Sequence, residues 1–337
     1  MDKRQTGKIW KTCPTMGEIE VIRMRSIDIH THGIGGYDTR TTDENHILKI
    51  AEILGSQGVS EIIPAIYPAS IDEMRRNMMA VRKAMEFQQS RVSSQGSGVS
   101  QKKDSRLLTA DHRPSTILGL HLEGPFINPS KCGALDARTF VEPSEKNLQK
   151  LLEGFEDIVR IITIAPEIKG AAKLIKKISN MGIIASMGHS DATFSEAEAG
   201  FHAGAKGITH IFNAMRSFHH REPGIAGFGL INKDIYIEVI ADPFHLHPKT
   251  LEFVFKTKNP KKIIIVSDSV KETPSGIPIS SRQGAKGRGG SITDTKGKPR
   301  GGSMTIVESS RRLIQMGFDN KFITNCITKN PRRYLQN

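Results

Sequence analysis

Cysteine is scarce in this chain, and Cys13, Cys132 and Cys326 are odd in number and far apart, which argues against a disulfide framework. No apolar run approaches the ~20 residues that a membrane-spanning helix needs. The basic opening MDKRQTGKIWKTCPTMGEIE has no apolar segment behind it, so no secretory signal is expected. A reduced, cytoplasmic setting follows as the expectation. Acidic residues are outnumbered, 35 Asp and Glu against 48 Lys and Arg, for a net charge of +13. Much of the excess lies in 256–300, where eleven Lys or Arg face only Asp268, Glu272 and Asp294. That segment lacks the interleaved aromatics on which single-stranded nucleic acid stacks. Its charge fits an anionic small molecule or a solvated face better than nucleic acid. Internal repeats are missing too, and GIGGY at 33–37 is only superficially like a Gly-rich phosphate loop.

What is present is an ordinary globular composition, with 37% hydrophobic and 25% charged residues in 337. That length accommodates a single α/β barrel of ~250 residues with insertions. Short β-rich runs at 26–32, 60–66, 116–123, 159–165, 182–188, 206–211, 235–240 and 262–267 read as strands. Amphipathic patterns at 43–57, 70–87, 144–154, 170–181, 194–204 and 248–257 read as helices between them, with another at 305–316. Eight strands with crossovers predict a parallel sheet closed into a (β/α)8 TIM-type barrel, in preference to a doubly wound open sheet. The polar run 88–115, centred on SSQGSGVSQKK, reads as a flexible insertion on the N-terminal face. The Gly/Pro/Ser/Lys-rich run 271–303 follows the eighth strand and reads as a lid-like loop on the C-terminal face.

Histidines and acids fall at the ends of these strands. His30 and His32 end the first, Glu123 the third, His189 the fifth and His210 the sixth; His245 follows the seventh and Asp268 ends the eighth. In a barrel this is the rim from which active sites are built. Residues two apart on a strand share a face, so His30 and His32 point together. Imidazoles and carboxylates converging there suit Zn²⁺ or another first-row divalent ion, and one bridging carboxylate with four imidazoles suits two. Each residue has a plainer reading: Asp268 as a turn cap, Glu123 paired with Lys131, any His as a hydrogen-bonded core residue. His121 shares a face with Glu123 and competes as a ligand.

Those residues lie in segments that carry a resemblance. DIHTHGIGGYDT (28–39), GLHLEGPFINPSKCG (119–133), ITIAPE (162–167), MGHSDAT (187–193), THIFNAMRSFHHREPGIAG (209–227), DPFHLHP (242–248), IVSDSVKE (265–272) and GGSMT (301–305) follow one another in order. Together they resemble the N-acetylglucosamine-6-phosphate deacetylases of the amidohydrolase superfamily. The resemblance implies that Glu123, His189 and His210 hold one metal ion, and that His30 and His32 hold a second bridged by Glu123. It implies Asp268 as the catalytic acid/base and His245 near the scissile carbonyl. Asn213, the backbone at Ala214, and Arg221 correspond to phosphate contacts, Arg221 reaching in from the partner subunit of a homodimer. One or two divalent ions per chain are implied, Zn²⁺ first, with Fe²⁺, Mn²⁺ and Co²⁺ as alternatives.

The chain departs from the family pattern in three places. The strand-like run EIEVIRMRS stands before the first motif where family members carry a longer segment, and the chain stops at NPRRYLQN, so the family's small β-sandwich is expected to be missing or vestigial, with residues 1–25 as its remnant. After Ala134 the sugar-contacting position is Leu135 where His or Gln is usual, and Arg300 replaces an apolar residue in the turn that encloses the acyl group. Two rivals differ in class. One is another amidohydrolase, such as a cyclic-amide hydrolase or a deaminase; many cyclic-amide hydrolases place a Lys at the end of strand four, which here ends ITIAPE. A non-catalytic phospho-sugar-binding relative would have shed ligands, yet His30, His32, Glu123, His189, His210 and Asp268 are all in place.

Overall fold

Alternating β-rich and amphipathic runs become a barrel in the computed structural model, which describes residues 26–96, 113–275, 292–293, 297 and 299–336. Expectations for residues 1–25, for 97–112 and for most of 271–303 lie outside the described residues. The strands are β1 (Ile27–Thr31), β2 (Gly33–Ile34), β3 (Tyr37–Asp38), β4 (Glu61–Ile66), β5 (Thr116–Ile117), β6 (Leu120–Glu123), β7 (Val159–Ile164), β8 (Ile184–Met187), β9 (Gly207–Ile208), β10 (Tyr236–Ile240) and β11 (Ile263–Val266). Parallel pairing runs β1-β4-β6-β7-β8-β9-β10-β11, the eight expected strands, with β5 pairing β4 off the path. Hydrogen bonds join the last strand to the first at their C-terminal ends: Asp268 N donates to His30 O at 2.9 Å and His32 N to Ser269 O at 2.7 Å. The architecture is the (β/α)8 barrel.

Two apolar layers hold it. An inner one combines Ile27, Ile29, Ile63, Ile161, Ile184, Tyr236, Ile240, Ile264 and Val266 with Tyr334, which enters from the last helix, Lys329–Leu335. The approach is close enough that a Cβ on Gly207 would collide with the Tyr334 hydroxyl, so glycine is required there. The outer layer lies between the strands and the helices, for example Ile47, Ile50 and Leu54 of helix Glu44–Ser56. Above the inner apolar layer the barrel turns polar: His121 Nε2 meets Thr163 Oγ1 at 2.8 Å, and Thr163 and Ser186 each meet Thr209. These hydrogen bonds satisfy groups that would be costly to bury alone.

Helix starts follow their caps. Asp43, Ser144, Thr193 and Thr305 each accept from the first turn, and Thr193 and Thr305 form capping boxes with Glu196 and Glu308. Three of these elements differ from expectation. The helix read as 70–87 runs Ile71–Gly96, so 88–96 of the supposed flexible insertion is helical; nothing in EFQQSRVSSQ breaks a helix before Gly96. Gln88 ties it to the sheet, donating to Ser115 O and accepting from Ile117 N. Helix Gly224–Ile231 was unforeseen because it is buried on nearly all sides and shows no amphipathic period. The run 116–123 breaks into β5 and β6 at Gly119, where φ is +145° and a Cβ would meet Ile158 O at 2.5 Å. In keeping with expectation, GIGGY is no phosphate loop: it is a hairpin turn between β2 and β3 with Gly35 and Gly36 at φ of 60° and 93°. Among the described residues, no helix is long and apolar enough to cross a membrane.

Candidate metal centre

The rim residues meet around one carboxylate. Glu123, at the end of β6, puts Oε1 at 3.1 Å from both His189 Nε2 and His210 Nε2. Its other oxygen lies 3.2 Å from His32 Nε2, while Oε1 is 3.5 Å from His30 Nε2. Asp268 Oδ1 approaches the same pair, at 3.6 Å from His30 Nε2 and 3.5 Å from His32 Nε2. Two triads meet at the rim, Glu123/His189/His210 and His30/His32/Asp268, with Glu123 between them, and His30 also belongs to a third group with His121 and Glu238. His189, His210 and Asp268 have φ of 47°, 29° and 47°, so each strand end turns sharply and lays its side chain over the barrel mouth. Backbone strain of this kind gathers where geometry serves chemistry.

Outer hydrogen bonds set which ring nitrogen faces inward. His32 Nδ1 sits 3.0 Å from Ala65 O, and His189 Nδ1 sits 2.9 Å from Lys131 O. A carbonyl only accepts, so in both rings Nδ1 carries the proton and Nε2, when the ring is neutral, offers a lone pair to the cluster. Yet the Nε2 atoms lie 3.2 Å apart in each pair, His30 with His32 and His189 with His210. Lone pairs that close repel unless a cation is shared. Two ligands bound at ~2.1 Å to a tetrahedral ion stand about 3.4 Å apart, close to what is observed. The donor set therefore fits a pair of divalent ions.

Charge supports the same reading. Burial pushes Glu123 up, but His32, His189, His210 and His30 outweigh it and hold the carboxyl well below its usual range. Burial pushes His30 and His210 down, and contacts with Glu123, joined for His30 by Glu238, more than reverse that. The cluster attracts positive charge. His121 is not part of it: Nε2 is taken by Thr163 and Nδ1 faces Ile29 O at 3.3 Å, and burial followed by the His30 charge keeps its pKa well below normal. Its ring instead packs on His30, centroids 4.6 Å apart.

Of the plainer readings, that of a hydrogen-bonded core residue fits His121, while the pairing of Glu123 with Lys131 is not seen. Lys131 pairs with Asp191 at 3.0 Å rather than with Glu123. Glu222 caps backbone, accepting from Phe194 N and Gly224 N, and leaves Arg221 exposed with its Nη1 on His220 at 3.1 Å. His245 is brought to the rim by Asp242, whose two carboxylate oxygens each stand 3.0 Å from Nδ1. Ser303 also donates to Asp242 through its amide and hydroxyl, tying the GGS turn to the site. Asn213 Nδ2 donates to His210 O, and Ala214, at φ 50°, accepts from Ser190 N. Ala134 is exposed and Leu135 half-buried in a turn where a Cβ on Gly133 would touch Ala214 and His189, so this turn borders the centre. Arg300 is exposed and 3.8 Å from Glu272.

Sequence reasoning missed three acids. Glu238 accepts from His30 Nδ1, Asp242 holds His245, and Glu167 accepts from Asn128, Ser190 and the amide of Asp191, pinning the turn after His189. A lone glutamate inside YIEVI was the available signal for Glu238; the other two sit in motifs already noted.

Comparison with known proteins follows the same lines. The amidohydrolase family profile matches residues 26–336. An N-acetylglucosamine-6-phosphate deacetylase of Bacillus subtilis (strain 168) is 32% identical over 304 residues, spanning 89% of this chain and 69% of the relative. An N-acetylgalactosamine-6-phosphate deacetylase of Escherichia coli O157:H7 is 26% identical over 304 residues, spanning 90% and 74%. The crystal structure of an N-acetylglucosamine-6-phosphate deacetylase from Thermotoga maritima superposes with a TM-score of 0.73 at 26% identity, covering 93% of this chain and 78% of that one. With its barrel matched from first strand to last helix, the chain belongs to the amidohydrolase family.

Proposed function

We propose that the chain is a metal-dependent hydrolase that deacetylates N-acetylglucosamine 6-phosphate, giving glucosamine 6-phosphate and acetate. The observation that carries this reading is the Glu123-centred pair of triads with Asp268 beside it. Glu123, His189 and His210 would hold one ion, and His30 and His32 with Glu123 a second. A divalent ion held there supplies Lewis acidity, making water a nucleophile near neutral pH and polarising the amide carbonyl. Asp268 takes the proton from the attacking water and returns it to the amine nitrogen as the C–N bond breaks. His245, its Nδ1 fixed by Asp242, presents Nε2 to the carbonyl oxygen as negative charge builds there.

Binding is assigned to the loops around the rim. Asn213, the backbone of Ala214 and Arg221 take the phosphate, with Arg221 donated by the partner of a homodimer, where a guanidinium fork matches phosphate geometry. Ala134 and Leu135 border the sugar, and Arg300 adds a cation on the same face. Leu135 offers no hydrogen bond to a hydroxyl, and one neutral hydrogen bond is worth ~0.5–1.5 kcal/mol. The enzyme should require phosphate and discriminate weakly between hexosamines, and relatives named for both the gluco and galacto substrates accord with that.

Acetate release tests this directly. Metal-loaded protein should release acetate from N-acetylglucosamine 6-phosphate, lose activity on chelation, and act poorly on unphosphorylated N-acetylglucosamine. N-acetylgalactosamine 6-phosphate should be accepted at a reduced kcat/KM. Equal rates with and without phosphate would remove the phosphate assignment; no release from any of them would favour a binding protein.

A further inference from the structure

Three of the four clustered histidines have an outer partner, and the partners are not alike. His32 and His189 lean on the backbone carbonyls of Ala65 and Lys131, which are neutral. His30 leans on a carboxylate: its Nδ1 is 3.1 Å from Glu238 Oε2. Glu238 lies on β10 between Tyr236 and Ile240, both members of the inner apolar layer, and is 1% exposed. Its other oxygen, Oε1, has no hydrogen-bond partner among the described residues. A buried carboxylate with one donor is a poor bargain for the fold, because its desolvation is only partly offset. Stability alone does not explain why it is there.

We propose that Glu238 is a positioning residue for the second metal ion: it governs occupancy of the His30/His32 position while leaving the Glu123/His189/His210 position unaffected. The inference rests on the metal-centre reading above. Glu238 accepts the His30 Nδ1 proton, fixes the tautomer whose Nε2 faces His32, and makes that imidazole a stronger donor. It also brings a third acid, after Glu123 and Asp268, to a site that must balance two divalent cations. The compensation the fold does not supply to Glu238 comes from the ion across the ring. His121, the other side chain near both groups, is committed to Thr163 and Ile29 and cannot take over.

The test compares wild type, Glu238→Gln and Glu238→Ala, stripped with chelator and titrated with Zn²⁺, with ions per chain measured by mass spectrometry. Gln keeps an acceptor for Nδ1 and removes the charge; Ala removes both. Wild type should bind two ions. Both variants should keep one at wild-type affinity and bind the second more weakly, by about 10–100-fold and more severely for Ala. Thermal melts of the metal-free proteins show whether each is folded, and if Ala is not, Gln alone decides. Two ions bound as tightly in Glu238→Gln as in wild type would overturn the proposal. So would equal weakening of both positions, or a wild type that saturates at one ion. Failure of deacetylation in fully loaded wild type would overturn the function reading and leave this comparison standing.

Discussion

Asp268 is the acid of the rim that pairs partial exposure with closeness to the cluster. Its side chain is 14% exposed and its Oδ1 stands within 3.6 Å of His30 and His32, whereas Glu123 is enclosed by four imidazoles and has no freedom to carry protons. Asp268→Asn preserves shape and removes the proton acceptor. The expected result is a kcat lowered by ~10²–10⁴ with the Glu123/His189/His210 ion retained. Steady-state kinetics alongside metal analysis checks it, and activity within a few-fold of wild type would mean another base. At this scale the sequence was informative about side chains at strand ends, because a barrel's topology delivers them to one rim wherever the strands are correctly placed. It was silent on outer partners. Glu238 meets His30 across 208 positions of chain and Ser303 meets Asp242 across 61, and no local pattern announces such pairs.

Elements were legible where one face is apolar and a cap marks the start, as for helix Pro248–Thr257, whose bounds match the expected 248–257. They were not legible where burial is complete, as for helix Gly224–Ile231, whose glycines and uniform apolarity hide its period. That helix carries the end of the HHREPG run and is finished by an unusual cap. Buried Lys258 donates from Nζ to Gly229 O at 2.6 Å and Asn232 O at 2.5 Å, satisfying carbonyls that the helix end leaves open. Burial, with the Lys262 charge adding to it, pulls Lys258 from 10.5 down to about 7. Below pH 7 the amine is protonated whether the chain is folded or not. Between 7 and 10.5 the unfolded chain binds a proton that the folded one releases, so stability rises with pH across that window. In melts at pH 6.5 and 9, wild type should gain stability relative to Lys258→Met, which fills the same space without titrating. Parallel pH profiles for the two proteins would refute the linkage.

For the whole molecule, the question is whether one chain makes a complete site. The His/Glu/Asp cluster is assembled within a single barrel, whereas the cation assigned to phosphate makes no hydrogen bond or ion pair with it among the described residues. Arg221 is exposed, its guanidinium touches only His220 among the described residues, and the glutamate beside it is occupied with backbone amides. The proposed role in a partner's site would draw on this exposed guanidinium. In a two-fold dimer each site would then combine one chain's Asp268 with the other chain's Arg221. Arg221→Ala and Asp268→Asn should each be crippled alone. Co-expressed with different tags in equal amounts, half the dimers would be mixed, and each mixed dimer would hold one site with both residues and one with neither. About a quarter of the wild-type site count should therefore reappear, concentrated in the fraction that binds both tags. Purified mixed dimers no more active than their parents would place Arg221 outside its partner's site, and a fully active monomer would remove the shared site altogether.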